Sequence, residues 1–213
     1  MAVEAVVWDF GGVFTTSPFE AFNRFEVGKG IPLDHIRTVN ATNALENAWA
    51  RFERAEIDAA GFDRMFAEES RALGHEVRGA DVLPLLSGDV RPRMVAALEA
   101  CKQHFKVACI TNNVMTGQGA GMASTTDKAA QVAEIMGLFD MVIESSKVGV
   151  RKPDPRIYQM MCELLEVKPE ACVYLDDLGI NCKPAAQLGM TAIKVESEAQ
   201  ALAALAKATG LVF

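Results

Sequence analysis

No uninterrupted apolar run in these 213 residues approaches the roughly 18 needed to cross a bilayer, and no charged leader precedes a short apolar stretch with a cleavage site. Membrane insertion and secretion are therefore not expected. Positive charge is also scarce. The 21 Lys and Arg residues face 28 Asp and Glu, a formal charge of −7, which is the wrong sign for general affinity to a phosphate backbone. No nucleic-acid partner is expected, although a local basic pocket stays open. The five cysteines (Cys101, Cys109, Cys162, Cys172, Cys182) show no C-x-x-C spacing, and Cys109 and Cys172 lie inside apolar runs, where a small buried thiol is the ordinary reading. All five read as reduced, in an intracellular, cytoplasmic setting. The three histidines, His35, His75 and His104, suggest no role.

What remains is an ordinary globular composition, half apolar and 23% charged, long enough to bury a proper core. The most informative stretch is Val6-Val7-Trp8-Asp9-Phe10-Gly11-Gly12. Residues 2–8 are mostly apolar and rich in β-branched valine, as in a central strand covered on both faces. Asp9 stands at the carboxyl end of that strand, where open α/β sheets bind ligands, and the paired glycines let main-chain N–H groups approach an anion. A capping or turn aspartate is the competing reading.

Two changes of texture divide the chain. From Phe19 to about Leu86 the pattern is helical. Phe22 and Phe25, then Leu45, Trp49 and Phe52, then Phe62, Met65 and Phe66 recur at three- and four-residue spacing, as the buried stripes of short helices do. From about Asp89 helices and strands alternate. Helices are predicted at 91–104, 127–136, 155–166, 183–188 and 198–208, and strands at 106–110, 140–143, 172–175 and 191–195. Alternation of this kind means a doubly wound parallel sheet with right-handed crossovers. The first strand belongs with that second half, which makes the helical stretch an insertion.

Polar residues gather at the strand ends. Asp9 follows the first strand, Thr111-Asn112-Asn113 the second and Asp176-Asp177 the fourth, while the third leads through Ser145-Ser146 to Lys147-Val148-Gly149-Val150-Arg151-Lys152. Adjacent carboxylates repel unless a cation or proton neutralises them, and an oxygen-rich site favours Mg²⁺. A solvated helix cap is the alternative for Asp176-Asp177, and a plain turn for Thr111 and Asn112, whose hydroxyl and amide otherwise suit phosphoryl oxygens. Lys152 precedes Pro153-Asp154-Pro155, with Asp154 reading as an N-cap and Pro155 as the first helical residue, an entry that would aim the ammonium at the crevice, although for Lys152 taken alone a surface lysine is the stronger reading. Lys147 and Arg151 read as solvated charges.

Asp9-Phe10-Gly11-Gly12-Val13, Thr111-Asn112-Asn113, Arg151-Lys152-Pro153-Asp154-Pro155 and Leu175-Asp176-Asp177-Leu178-Gly179-Ile180-Asn181 together resemble motifs one to four of the haloacid dehalogenase-like hydrolase superfamily. The segment Lys152 to Val195 is especially similar to the branch that includes the N-terminal phosphatase domain of soluble epoxide hydrolases and the hydrolase-like domain attached to some acyl-CoA dehydrogenases. The resemblance implies a Rossmann-like core of residues 1–14 and 88–213, strand order 3-2-1-4-5, and a helical cap of residues 15–87. It implies a Mg²⁺-dependent phosphatase for a small phosphorylated metabolite, with Asp9 as nucleophile. Mg²⁺ would be held by Asp9, Asp177 and the Gly11 carbonyl, with Asp176 acting directly or through water, while Thr111, Asn112 and Lys152 bind the phosphoryl group. Asn181 would orient a ligand or a water.

One departure stands out. Most phosphatases of the superfamily carry a second Asp two residues after the nucleophile as general acid and base, and here that residue is Gly11. Such help is typically worth about 10² to 10⁴ in rate. Thr15, Thr16, polar cap residues or water are candidate substitutes. Two other readings stay open: a 2-haloacid dehalogenase, in which Asp attacks carbon without a metal, and a catalytically weak binding or regulatory domain. Actin-like sugar kinases share the Asp-x-Gly-Gly start but need a longer chain. Response-regulator receivers lack a helical insertion of this length. The Gly/Ser/Thr-rich stretch 116–126 reads as part of the site entrance. Oligomeric state is not legible.

Overall fold

A computed structural model describes residues 2–114 and 125–213; the proposed entrance segment lies almost wholly outside the described residues. Five strands, β1 (Ala5–Trp8), β2 (Lys106–Thr111), β3 (Met141–Glu144), β4 (Cys172–Asp176) and β5 (Thr191–Lys194), form one parallel sheet in the order β3-β2-β1-β4-β5. This is the order that the family resemblance implied, in the parallel sheet expected from the alternation of helices and strands. Five helices precede β2 in the helical stretch: α1 (Phe19–Lys29), α2 (His35–Ala41), α3 (Ala48–Glu53), α4 (Ala59–Ala72) and α5 (Gly79–Val82). The others are α6 (Pro92–Lys102), α7 (Thr126–Met136), α8 (Ser145–Val148), α9 (Pro155–Leu165), α10 (Gly179–Gln187) and α11 (Glu198–Thr209).

Side chains alternate across the central strands, and each face has its own core. Val6, Trp8, Val107, Cys109, Val173 and Leu175 pack with α6, α7 and α11 residues such as Leu98, Ile135 and Leu205. Ala5, Val7, Ala108, Ile110, Cys172 and Tyr174 pack with Ile157, Tyr158 and Met161 of α9. A third cluster joins the helical stretch through Phe22, Ile36, Phe52, Phe62 and Phe66, with Phe62 stacked on Phe52 at 4.7 Å. These are the aromatic stripes anticipated from spacing, with Phe25, Trp49 and Met65 partly buried against them; Leu45, expected in the same stripe, is instead exposed. Buried Glu26 has its two oxygens bonded to the main-chain N–H groups of Asp34 and Ile36, each at 2.8 Å, which seats the start of α2 on α1.

The chain enters and leaves the helical stretch side by side. Thr15 and Val90 form an antiparallel bridge. Thr16 N–H donates to Asp89 O at 2.9 Å, Asp89 N–H to Thr16 Oγ1 at 3.0 Å, and Arg91 N–H to Phe14 O at 2.7 Å. Gly88 is required there because a Cβ would lie 2.5 Å from Thr16 O.

Two local differences from expectation have physical causes. Helix α10 begins at Gly179, four residues before the predicted start, with Pro184 inside it. Pro184 resembles a first-turn proline in sequence, but the Asp176 carboxylate accepts from Leu178 N–H at 2.8 Å and starts the turn earlier. The Ser145-Ser146 segment, for which no element is predicted from sequence, begins a short helix, α8, whose first turn is held by Ser146 N–H donating to Asn113 Oδ1 at 3.2 Å.

Candidate active site

Register brings Asp9 and Asp176 level. Trp8 pairs with Leu175 in β4, and the ladder continues one step through Asp9 N–H donating to Leu175 O at 2.7 Å. The two carboxylates thus emerge together at the carboxyl end of the sheet, on the α9 face. Lys152 arrives just before α9. As expected, Asp154 caps this helix, accepting from Arg156 N–H at 2.9 Å, and Pro155 is its first residue. The Lys152–Pro153 peptide is cis.

Lys152 is 1% exposed, and its Nζ lies 2.7 Å from Asp9 Oδ1 and 2.8 Å from Asp176 Oδ2. A buried ammonium between two carboxylates is the reverse of the surface lysine that sequence alone would have allowed. Burial by itself would lower the Lys152 pKa, but Asp176 and Asp9 outweigh it and hold the group protonated. Asp176 is fully buried and heavily bonded: Oδ2 accepts from Lys152 and from Tyr174 Oη at 2.6 Å, Oδ1 accepts from Leu178 N–H, and Asn181 Nδ2 lies 3.1 Å from both oxygens. Asn181, expected to orient a ligand or a water, is instead bonded to the Asp176 carboxylate. Tyr158 extends the network by donating to Asn181 O at 2.8 Å.

Asp177 sits differently. It lies against the Asp9 loop, where a Cβ on Gly12 would come 2.2 Å from Asp177 Oδ2, and Gly12 has φ of +74°. Gly12 is thus fixed both by its left-handed backbone and by this close approach. Ligand oxygens of Asp9, Asp176 and Asp177 all lie within 4.8 Å of one another. Burial and the Asp176 charge raise the Asp177 carboxyl to about 7 despite Lys152 and Arg91. Asp9 is raised well above the usual carboxylate range, by burial first; Lys152 opposes this, while Asp176 and Asp177 add to it. Three carboxylates against one ammonium leave negative charge unmet. Hard oxygen donors with such an excess fit a divalent cation like Mg²⁺.

The remaining site residues are placed as follows. Thr111 ends β2, buried, one residue before Asn112. The Asn112 amide is committed to Lys152: its Nδ2 donates to Lys152 O at 3.0 Å and its Oδ1 accepts from Lys152 N–H at 2.9 Å. The side chain expected to hold a phosphoryl oxygen therefore secures the lysine loop. Gly11 is exposed, and a Cβ there would meet nothing within 4 Å. Sterics do not explain the missing acid. Thr15 Oγ1 accepts from Gly12 N–H at 3.3 Å, and Thr16 is engaged with Asp89. Arg151 is corrected: it is not a solvated charge but 16% exposed and bonded to Glu53 of α3. Lys147 is exposed and pairs with Glu144. Sequence reasoning missed Arg91, whose Nη1 donates to Gly12 O at 2.8 Å. Its only sequence signal was its position before Pro92 at the start of α6.

The haloacid dehalogenase-like hydrolase family profile matches residues 3–189. The chain belongs to this family. It is 38% identical over 223 residues to bifunctional epoxide hydrolase 2 of Sus scrofa, covering 99% of this chain but only 40% of that protein. The chain thus spans about two fifths of the length of that relative. It is 30% identical to phosphatase MT3486 of Mycobacterium tuberculosis, covering 94% of this chain and 90% of that one. Its fold matches a haloacid dehalogenase family enzyme of Bacteroides thetaiotaomicron, solved with magnesium and inorganic phosphate, with a TM-score of 0.58 at 18% identity over 92% of this chain and 96% of the other. Among the described residues no helix is long and apolar enough to cross a membrane.

Proposed function

We propose that this hydrolase is a Mg²⁺-dependent phosphatase for a small phosphorylated metabolite, with Asp9 as nucleophile and residues 15–87 as a cap over the site. The observation that carries this reading is the cluster of Asp9, Asp176 and Asp177 around a single buried ammonium. A dehalogenase needs no such carboxylate excess. Five free, buried thiols support a cytoplasmic setting.

Mg²⁺, held by Asp9, Asp177 and the Gly11 carbonyl, would neutralise the carboxylates and polarise the phosphoryl group when bound. Asp9 attacks phosphorus in line through its free carboxylate oxygen; the ester P–O bond breaks and the leaving oxygen departs with the bonding pair. Lys152, already protonated and held by Asp176, offsets charge on the phosphoryl oxygens, with the Thr111 hydroxyl and the Asn112 main chain as further donors. Water then attacks phosphorus, releasing inorganic phosphate and restoring the Asp9 carboxylate. Without an acid at residue 11, the leaving group takes its proton from water or leaves as a stable anion, so acidic leaving groups are favoured.

Gly11 also favours a second reading, a domain that binds Mg²⁺ and phosphate but turns over poorly. Hydrolysis of an activated aryl phosphate separates the two. Wild-type protein with Mg²⁺ is expected to turn over, and Asp9→Asn to lose that activity. Equal trace activity in both would favour the binding domain, and halide release from 2-haloacids in the presence of chelator would favour a dehalogenase.

A further inference from the structure

Arg151 and Glu53 form a buried ion pair between residues nearly a hundred positions apart. Arg151 Nε lies 2.5 Å from Glu53 Oε2, with side chains 16% and 8% exposed. Glu53 is the last residue of α3 and Arg151 the residue before Lys152. The same guanidinium donates through Nη1 to Ala44 O at 2.9 Å, and the other Glu53 oxygen accepts from Trp49 Nε1 at 2.9 Å. Glu53 is held by its main chain too: its carbonyl accepts from Ser145 Oγ at 2.8 Å, and Ser145 Oγ accepts from Asn113 N–H at 3.1 Å. The end of α3 is therefore bonded to the segments following β2 and β3, beside the loop that delivers Lys152.

We propose that Glu53 is a positioning residue that acts through Arg151, so that docking of the helical stretch on the sheet sets Lys152 against Asp9. This extends the phosphatase reading and rests on it for its kinetic consequence. Asn112 fixes the Lys152 main chain from the sheet side, and Glu53 fixes the adjacent residue from the helical side. With the crossovers at Thr15 and Val90 as one attachment, this pair supplies a second. Moving the helical stretch would pull on residue 151 directly. A displacement of about 1 Å at a reacting group can cost on the order of a hundredfold in rate.

The test compares Glu53→Gln, Arg151→Gln, the double variant and Arg151→Lys. Glu53→Gln keeps size and an acceptor for Trp49 while removing the charge. With an aryl phosphate and saturating Mg²⁺, each Gln variant is expected to lower kcat by roughly tenfold to a hundredfold. The double variant should lose no more than either single one, and Arg151→Lys should recover part of the loss. Wild-type kcat in folded Glu53→Gln protein, or fully additive losses, would overturn the proposal. Hydrogen exchange reads the same coupling without turnover: Glu53→Gln should speed exchange across residues 145–154 as well as 44–56. Unchanged exchange at 145–154 would overturn the proposal. Faster exchange there in Glu53→Gln, together with a wild-type protein that hydrolyses nothing, would instead refute the phosphatase reading and leave the coupling standing.

Discussion

Arg151 and Lys152 are chain neighbours, one partly buried and the other fully buried, and they meet opposite surroundings. Arg151 faces one carboxylate, Glu53, whose remaining oxygen is bonded by Trp49. That pair is balanced and complete. Lys152 faces Asp9 and Asp176, with Asp177 close by, and the carboxyls of Asp9 and Asp177 are raised. The balanced pair joins two parts of the molecule, whereas the unbalanced cluster is built to receive positive charge. A buried ion pair by itself is weak evidence of either stability or function. The excess of unpaired charge makes the second case different.

Replacing each cation in turn should break the comparison most visibly. Lys152→Gln removes the ammonium that faces Asp9 and Asp176 and is expected to lower turnover of an aryl phosphate by about 10² to 10³. Without a divalent cation it should also destabilise the protein by roughly 3–5 kcal/mol, the usual cost of stranding buried charge, and added Mg²⁺ should recover much of that. Arg151→Gln should lose less turnover and show no comparable Mg²⁺ rescue of melting temperature. Equal responses from the two variants would erase the distinction.

Gly12→Ala probes how tightly Asp177 is set. The new Cβ meets the Asp177 carboxylate at 2.2 Å in a backbone with φ of +74°. A destabilisation of about 1–3 kcal/mol is expected by denaturant unfolding, together with weaker Mg²⁺ binding by titration calorimetry. Wild-type values in both would mean that this approach is not constrained.

A smaller effect follows from the Asp177 carboxyl near 7. A carboxylate raised on folding holds its proton in the native state where the unfolded chain, near 3.9, has lost it. Native protein therefore binds more protons between about pH 4 and 7, and stability falls as pH rises through that window when no metal is present. Mg²⁺ should reverse this, so the gain in melting temperature on adding Mg²⁺ is expected to grow from pH 5 to pH 7. A gain independent of pH would place the metal elsewhere.

Much of this contrast was legible before the structure, and what was missed has a common cause. Asp9, Asp176 and Asp177 announce themselves because an apolar strand ending in carboxylate is a local pattern, and alternation of helix and strand led to a parallel sheet, whose order came from the family resemblance. Lys152 was legible only beside the other strand-end motifs, since its Pro-Asp-Pro entry alone left a surface lysine the stronger reading. Arg151 was not: the residue that buries it is Glu53, far away in sequence, and nothing local distinguishes a paired arginine from a solvated one. The side chain of Asn112 was missed for the same reason, since its amide bonds a main chain forty residues on. The early start of α10 reflects Asp176 capturing Leu178 N–H, an interaction that outweighs the local suggestion of Pro184.

The central claim, that the unbalanced cluster operates Asp9 as a nucleophile toward phosphorus, is tested most directly by rapid-quench mass spectrometry of protein mixed with an aryl phosphate and Mg²⁺. The account predicts a transient gain of one phosphoryl group on the peptide containing Asp9, absent from Asp9→Asn and absent in chelator. Turnover that persists with no such adduct, or with the phosphoryl group on a different residue, would contradict it.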